Sequence, residues 1–455
     1  MSEHDVIVIG AGPAGEVCAS QLAAEGLDVA LVERELVGGE CAYWACMPAK
    51  ALLRPAELLA EAARVPGARE AVTGRLNAEL VLDRRDEVIH DFDDSGQMSW
   101  LRERAITLIR GQARLDGERE VTVDGHRLAA RRAVVLAVGS GAAIPPIPGL
   151  AELSVWTSRE GTTAKAVPER LLVLGGGVVG CELAQAWATL GSAVTLVEAE
   201  ERLLPGEEPF AGQQLADSLR GLGVEVRVGA TVKSAHRHDR GISLVLAGGE
   251  ALEGDELLVA VGRDPHTSDL GLETVGLQVG TTVSVDDRMR VPGRDWLYAI
   301  GDVNGRALLT HVAKYHARVA AATIMDRDLR ATGDGVGAPR VVFSEPQIAA
   351  VGHTLATAVE AGIAAHAVDA EIGRTPGASF VGKNAASSAR IVVDGHSGLI
   401  IGATFTGPDV ADFLHAATIA IVGEVPLQRL VHAMPPFPTR SEVWLSLLDG
   451  WAQLT

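Results

Sequence analysis

Asp5 to Glu35 reads DVIVIGAGPAGEVCASQLAAEGLDVALVERE, and Arg170 to Glu200 reads RLLVLGGGVVGCELAQAWATLGSAVTLVEAE. The second is the first again, 165 residues further on and without a gap. Gly10, Gly12 and Gly15 fall on Gly175, Gly177 and Gly180, Gly26 falls on Gly191, and Glu33 falls on Glu198. Each copy has a short apolar run typical of a buried strand, then a glycine-rich turn, then an amphipathic stretch, with an acid about 20 residues on. In such a turn the first glycine makes the sharp bend. The second lets a pyrophosphate approach the backbone, where a helix N-terminus offers N–H donors and its positive dipole end. The third lets helix and strand pack closely. Glu33 and Glu198 end the second strand of their units, placed to accept hydrogen bonds from a ribose.

Two such units predict two dinucleotides, and a flavin with a nicotinamide cofactor is the natural pair for electron transfer. The segment after the second unit, VEAEERLLP, clusters Glu198, Glu200 and Glu201. A 2′-phosphate would be repelled there, so the acids predict NADH in preference to NADPH, with Arg202 the nearby base that opposes them. With 455 residues the chain exceeds one hydrophobic core, and about three domains are expected. A formal charge of −19 argues against nucleic-acid and anionic-membrane partners. No apolar run approaches a spanning helix, and MSEHDVIVIG has no basic leader, so a cytoplasmic protein is expected.

GGECAYWACMPAK, Gly38 to Lys50, holds Cys41 and Cys46, two of the four cysteines. So few cysteines predict a redox or metal role for a close pair rather than a disulfide framework. Five residues of straight helix rise roughly 7.5 Å. Disulfide Cα atoms stand roughly 4.4–6.8 Å apart. The two can therefore bridge only where the segment bends or enters its helix between them. No further Cys or His has ligand spacing nearby, and no metal site is expected. Cys18 and Cys181 follow the glycine turns and read as small buried apolar residues.

With these motifs, and with LAVGSGAAIPPIPG, VGRDP, LYAIGDV and VVFSEPQIAAVG, the chain resembles the FAD-dependent pyridine nucleotide–disulfide oxidoreductases over nearly its whole length. That family includes dihydrolipoamide dehydrogenase, glutathione reductase and mercuric reductase. The resemblance implies that Cys46 faces the flavin as the charge-transfer thiolate and that Cys41 attacks a substrate disulfide. It implies a Lys50–Glu182 ion pair beside the flavin, and Asp302 on its ribityl chain. Gly10, Gly12, Pro13, Ala14, Gly15, Glu33, Ala113, Gly139, Gly301 and Asp302 are thereby expected at FAD. Gly175, Gly177, Val179, Gly180, Glu198, Gly262 and Arg263 are expected at NAD. The sequence departs from the family pattern at Glu40, Ala45, Ala49 and Val138. Tyr43 and Trp44 either pack in the core or line the approach to Cys41.

The family supplies a histidine near the C-terminus, followed by a glutamate, as the general acid for thiol exchange. Here the tail reads HAMPPFPTRSE, His432 to Glu442. Aligned on PTRSE, the histidine position is Phe437; aligned on HAM, it is Met434. Glu442 remains. His432 reaches a catalytic position only if Pro435–Pro438 loops unusually. Without that acid, a substrate that releases a low-pKa thiolate or a thione, such as an ergothioneine-type or aromatic disulfide, is favoured.

The expected fold is α/β. Two Rossmann-like dinucleotide-binding domains, FAD (1–155 and 276–335) and NAD(P) (156–275), precede an α+β dimerisation domain (336–455). The expected activity carries hydride from NADH to FAD, to the Cys41–Cys46 disulfide, and on to a small disulfide, in a homodimer. The alternative is a flavoenzyme reducing a non-disulfide acceptor, a quinone or a metal ion; a redox sensor without turnover is a third reading.

Overall fold

The computed structural model describes residues 2–453 apart from Arg240, Lys383, Asn384 and Ala386. In the first repeat, strand β1 (Ser2–Ile9) leads through the glycine turn to helix α1 (Pro13–Ala24) and strand β2 (Val29–Glu33). Next come a short helix α2 (Gly39–Tyr43) and a long one, α3 (Cys46–Arg64). In the second repeat, strand β3 (Arg170–Leu174), helix α4 (Val178–Thr189) and strand β4 (Ala193–Val197) follow the same plan. Helix α5 (Thr310–Ile324) is the last element needed for the site.

The chain divides into two compact units, Met1–Pro48 with Arg85–Ala143 and Gly262–Gly335, and Ala49–Arg84 with Ile144–Val261 and Val336–Thr455. In the first, β1 lies between β2 and the strand His126–Leu136, parallel to both. Thr107–Arg110 flanks β2, and Leu297–Ala299 pairs with His126–Leu136. Val6, Ile7 and Val8 are fully buried, which is why this strand reads as a continuous apolar run rather than an alternating one. In the second unit the order recurs: Glu225–Arg227, β4, β3, Glu256–Val259, all parallel. The second unit also holds a five-stranded antiparallel sheet. Its order is Arg340–Val342, Gln347–Gly352, Ile400–Gly407, Ser388–Asp394, Ala365–Ala370. Phe405, Ile391, Val393 and Leu447 fill its core.

Candidate active site

The two glycine turns are built alike to the level of single hydrogen bonds. Gly10 N–H donates to Val32 O and Gly175 N–H to Val197 O, each at 2.8 Å. Gly10 (φ +103°) and Gly175 (φ +111°) sit in a region closed to side chains, and a Cβ on either would strike the next strand's backbone, at Ala137 or Ala260. A Cβ on Gly15 or Gly180 would fall on the carbonyl oxygen of Gly10 or Gly175. Gly12 and Gly177 differ from both. A Cβ there meets nothing within 4 Å, so open space stands before the N-termini of α1 and α4. Pro13 takes the first helical position of α1 and Ala14 and Val179 the second position of their helices.

Each strand-end acid is fixed by two backbone donors. Glu33 accepts from Ala11 N at 2.7 Å and Glu35 N at 2.8 Å. Glu198 accepts from Gly176 N at 2.5 Å and Glu200 N at 2.8 Å. The cradles suit anions held by backbone N–H groups, with a carboxylate at the rim to take hydroxyl donors, and so fit dinucleotides.

Cys41 lies in α2, which ends at Trp44, and Cys46 opens α3. The segment therefore breaks between the two cysteines, as their spacing requires. Gly38 (φ +118°) and Gly39 (φ +59°) turn the chain just upstream, and a Cβ on Gly39 would stand 2.8 Å from Gly12 Cα. The loop thus rests on the first turn of α1. Both cysteines are thiols, partly buried. A hydrogen bond with Cys46, burial and the Cys46 charge push the Cys41 thiol well up, with Thr310 and Lys314 pulling down. Cys46 Sγ lies 3.4 Å from Thr310 Oγ1 on α5. As the first residue of a long helix it sits where the dipole favours an anion.

Tyr43 is 3 % exposed and donates to Val37 O at 3.2 Å. With Trp44 and Phe92 it forms an aromatic cluster, so Tyr43 is core packing. Cys18 and Cys181 are fully buried; burial pushes Cys18 up to about 12, and Cys181 Sγ donates to Gly176 O at 3.3 Å.

Lys50 Nζ lies 2.7 Å from Glu182 Oε2 and 4.7 Å from the Phe343 ring centroid. Glu182 Oε1 accepts from Phe343 N at 2.9 Å, and Glu182 is 3 % exposed, so this is no solvated surface pair. In the first unit, Ser140 Oγ donates to Asp302 Oδ2 at 2.6 Å. Arg263 Nε donates to Ser140 Oγ at 2.8 Å and lies 3.5 Å from Asp302. Arg263, expected at NAD, is thus bound into the network of Asp302, expected at FAD; Gly262 is exposed beside it. Gly301 (φ +75°) opens the turn that carries Asp302. Gly139 (φ +67°) accepts from His266 N, and Ala113 is buried in a strand paired with Glu120–Val123.

Sequence reasoning missed Ser140 and Thr310. Neither belongs to a local pattern: each meets its partner across a long span of chain, which only the fold brings together. At the C-terminal end, His432, Met434 and Phe437 are exposed. Glu442 Oε2 is buried with no hydrogen-bond partner among the described residues. Among those residues, Glu57, Glu61 and Asp409 form an acidic cluster, but Arg54 pairs with both glutamates at 2.7 and 2.9 Å and Arg440 with Asp409. No helix among the described residues is long and apolar enough to cross a membrane.

Comparison with known proteins places this geometry. Residues 4–317 match the family described as pyridine nucleotide-disulphide oxidoreductase, and 338–447 match its dimerisation domain, which supports a homodimer. The chain is 34% identical to dihydrolipoyl dehydrogenase 3 of Pseudomonas aeruginosa, covering 97% of this chain and 96% of that one. It is 32% identical to mercuric reductase of Acidithiobacillus ferrooxidans, covering 97% and 81%. Among solved structures, the Cu(II) complex of the HOCl-induced flavoprotein disulfide reductase RclA from Escherichia coli superposes with a TM-score of 0.86 at 26% identity, covering 99% of each chain. The repeated glycine cradles, the paired thiols and the C-terminal antiparallel sheet thus have one common account: the chain belongs to the pyridine nucleotide-disulphide oxidoreductase family.

Proposed function

We propose that the protein is an NADH-dependent reductase of a small disulfide, with Cys41 and Cys46 as its redox pair. The observation that carries this reading is the pair itself. Two thiols lie within hydrogen-bonding reach across a break between helices, on a loop that rests against a dinucleotide cradle. FAD and a pyridine nucleotide are the cofactors typical of the family. FAD, when bound, carries the electron pair between the nicotinamide and the thiols. Gly10, Gly12, Pro13, Ala14, Gly15 and Glu33 hold it in this reading, with Ala113, Gly139, Gly301 and Asp302. Gly175, Gly177, Val179, Gly180 and Glu198 hold the nicotinamide nucleotide. Gly262 and Arg263 were expected with that second group; the bonding of Arg263 to Ser140 and Asp302 favours the flavin side instead. The domain assignment is flavin on 1–155 and 276–335, nicotinamide on 156–275 and dimerisation on 336–455, except that residues 262–275 cluster with the first unit and so go with the flavin domain. Lys50, half-buried, and Glu182, buried, form a charge pair that stabilises charge developing during reduction. Four free thiols and a need for NADH suit the cytoplasm.

Preference for NADH is supported by the acid and by the base beside it. Glu198 is pinned at the strand end, where a 2′-phosphate would be repelled. Arg202 is occupied: its guanidinium donates to the carbonyls of Glu207 at 2.7 Å, Pro205 at 2.5 Å and Leu204 at 3.3 Å.

The substrate is a disulfide whose sulfur departs as a weak base or a thione, ergothioneine-like in its chemistry. The support is a C-terminal segment in which Glu442 pairs with no histidine among the described residues, and Met434 and Phe437 stand at the alternative histidine positions. A competing reading, reduction of a quinone or a metal ion, is favoured by the likeness to a mercuric reductase. Steady-state rates of the purified holoenzyme with NADH decide between them, using aromatic and thione-type disulfides, alkyl disulfides, quinones and Hg²⁺. The fastest turnover is expected with disulfides of weakly basic thiols. Faster turnover of a quinone or Hg²⁺, surviving Cys41→Ser, would overturn the reading.

A further inference from the structure

His316 lies in α5, fully buried, with both ring nitrogens engaged. Gly301 N and Asn304 Nδ2 each lie 3.3 Å from Nδ1, and Asp334 Oδ2 lies 2.8 Å from Nε2. The backbone N–H of Gly301 can only donate. The Asn304 amide is oriented by the backbone too: Arg306 N donates to its Oδ1 at 3.0 Å, which turns Nδ2 toward the ring. Nδ1 therefore accepts and carries no proton, and Nε2–H donates to Asp334. The buried Asp334 carboxylate also takes Arg306 through both oxygens, at 2.6 and 3.0 Å, and Arg306 reaches on to Asp287 at 3.1 Å. One neutral tautomer is thus fixed from both sides of the ring.

Gly301 begins the turn Gly301–Asn304 that carries Asp302, and a Cβ on Gly301 would crowd Ala313 of α5 and Ala14 of α1. The Asp302 carboxylate is held by Ser140, with Arg263 beside it. The backbone of its turn is held by His316, which accepts the N–H at the start of the turn and the Asn304 amide at its end. Asp334 comes from the segment after α5, so the same ring ties that segment to the turn. All of these residues belong to the first compact unit. We propose that His316 is a positioning residue of the flavin site: its Nδ1 anchors the Gly301 N–H and so fixes the turn from which Asp302 reaches the flavin.

This deepens the proposed function and rests on one part of it, the placing of Asp302 at the flavin. Without an acceptor on His316 the buried Gly301 N–H is left unmet, and the turn moves to satisfy it. The role also needs a neutral ring, because a proton on Nδ1 would face the Gly301 N–H donor to donor. Burial holds His316 below the ordinary histidine value, against the bond and charge of Asp334, with Arg306 adding to the fall and Asp302 opposing it. The charged and titratable groups around the ring are thus Asp334, Arg306 and Asp302, with Asp287 behind Arg306 and Tyr315 beside the ring. Since the native ring stays neutral down through its ordinary value, the anchor is complete at neutral pH and is lost only as the pH falls below about 6.5.

FAD affinity of the apoprotein, read by quenching of flavin fluorescence, tests this without turnover. His316→Asn keeps an acceptor where Nδ1 stood and should bind FAD within about 3-fold of wild type. His316→Gln keeps a donor where Nε2 stood but leaves the Gly301 N–H unmet, and should weaken FAD binding roughly 10- to 100-fold. A merely structural ring would lower thermal stability in both variants and leave their FAD affinities alike. Wild-type affinity should hold level down to about pH 6.5 and fall below it, and His316→Asn should lose that fall. Equal affinity in the two variants, or an acid fall that survives in His316→Asn, overturns the assignment. Where a variant folds poorly, nitrogen NMR of histidine-labelled wild-type apoprotein carries the test, and a proton on Nδ1 of His316 at neutral pH overturns it. Asp302→Ala that binds FAD as tightly as wild type is a separate failure: it removes Asp302 from the flavin and sinks the proposal through the reading it rests on.

Discussion

The two dinucleotide cradles share strand order, glycine geometry and the backbone bonds to the strand-end acid, yet one adjoins a thiol pair and the other does not. The shared parts are what any pyrophosphate requires: open space before a helix N-terminus and a carboxylate at the rim. The divergent parts lie one step outward. After β2 the chain turns through Gly38 and Gly39 into Cys41 and Cys46; after β4 it enters the acidic Glu198–Glu201 run and the tied-down Arg202. Binding is the common feature, and chemistry is what each copy has added around it.

Six substitutions break or sharpen that comparison. The largest effect is expected at the added chemistry. Cys41→Ser and Cys46→Ser should each lower disulfide reduction by roughly 10³-fold or more, measured as NADH oxidation, with the protein still folded and yellow. Next come the shared glycines. Gly15→Ala and Gly180→Ala should each cost about 3 kcal/mol or more, because a methyl lands on a carbonyl oxygen. Read by flavin content and thermal unfolding, the first should lose flavin, while the second should retain it and lose NADH binding. A smaller effect belongs to the rim. Glu198→Arg should move the NADH to NADPH ratio of kcat/KM by about 10- to 100-fold toward NADPH, with flavin content unchanged. The smallest is at the tail. His432→Ala should leave kcat and KM for an aromatic disulfide within about 2-fold, since an exposed residue with no described partner is removed.

Much of this was legible in the sequence because the cradle is local. Three glycines within six residues, and an acid at the end of the next strand, set their own bonds over short spans. A break between Cys41 and Cys46 followed from helix rise on the condition that the two can bridge. What was not legible depends on chain brought from afar. Thr310 meets Cys46, and Ser140 meets Asp302 and Arg263, across separations that no pattern spans. VGRDP lies near the second repeat in sequence, while its strand Arg263–Pro265 pairs with Ser140–Ala142 in the first unit. Burial was equally hidden. The resemblance implied the Lys50–Glu182 pair, but that Glu182 is buried and accepts from Phe343 N shows only in the fold.

The matching bonds of the two cradles also speak of ancestry. Ala11 with Glu33 and Gly176 with Glu198, then Glu35 with Glu33 and Glu200 with Glu198, repeat one arrangement at one spacing. Independent origins would have to reach the same turn, the same helix start and the same two donors in step. A single module copied within one gene reaches them at once. On that history the duplicated half began as a redundant binder, free to take up a different nucleotide, while the cysteine loop grew beside its sibling. An enzyme that relays electrons between two carriers would then have arisen by repeating a grip rather than by inventing a second one.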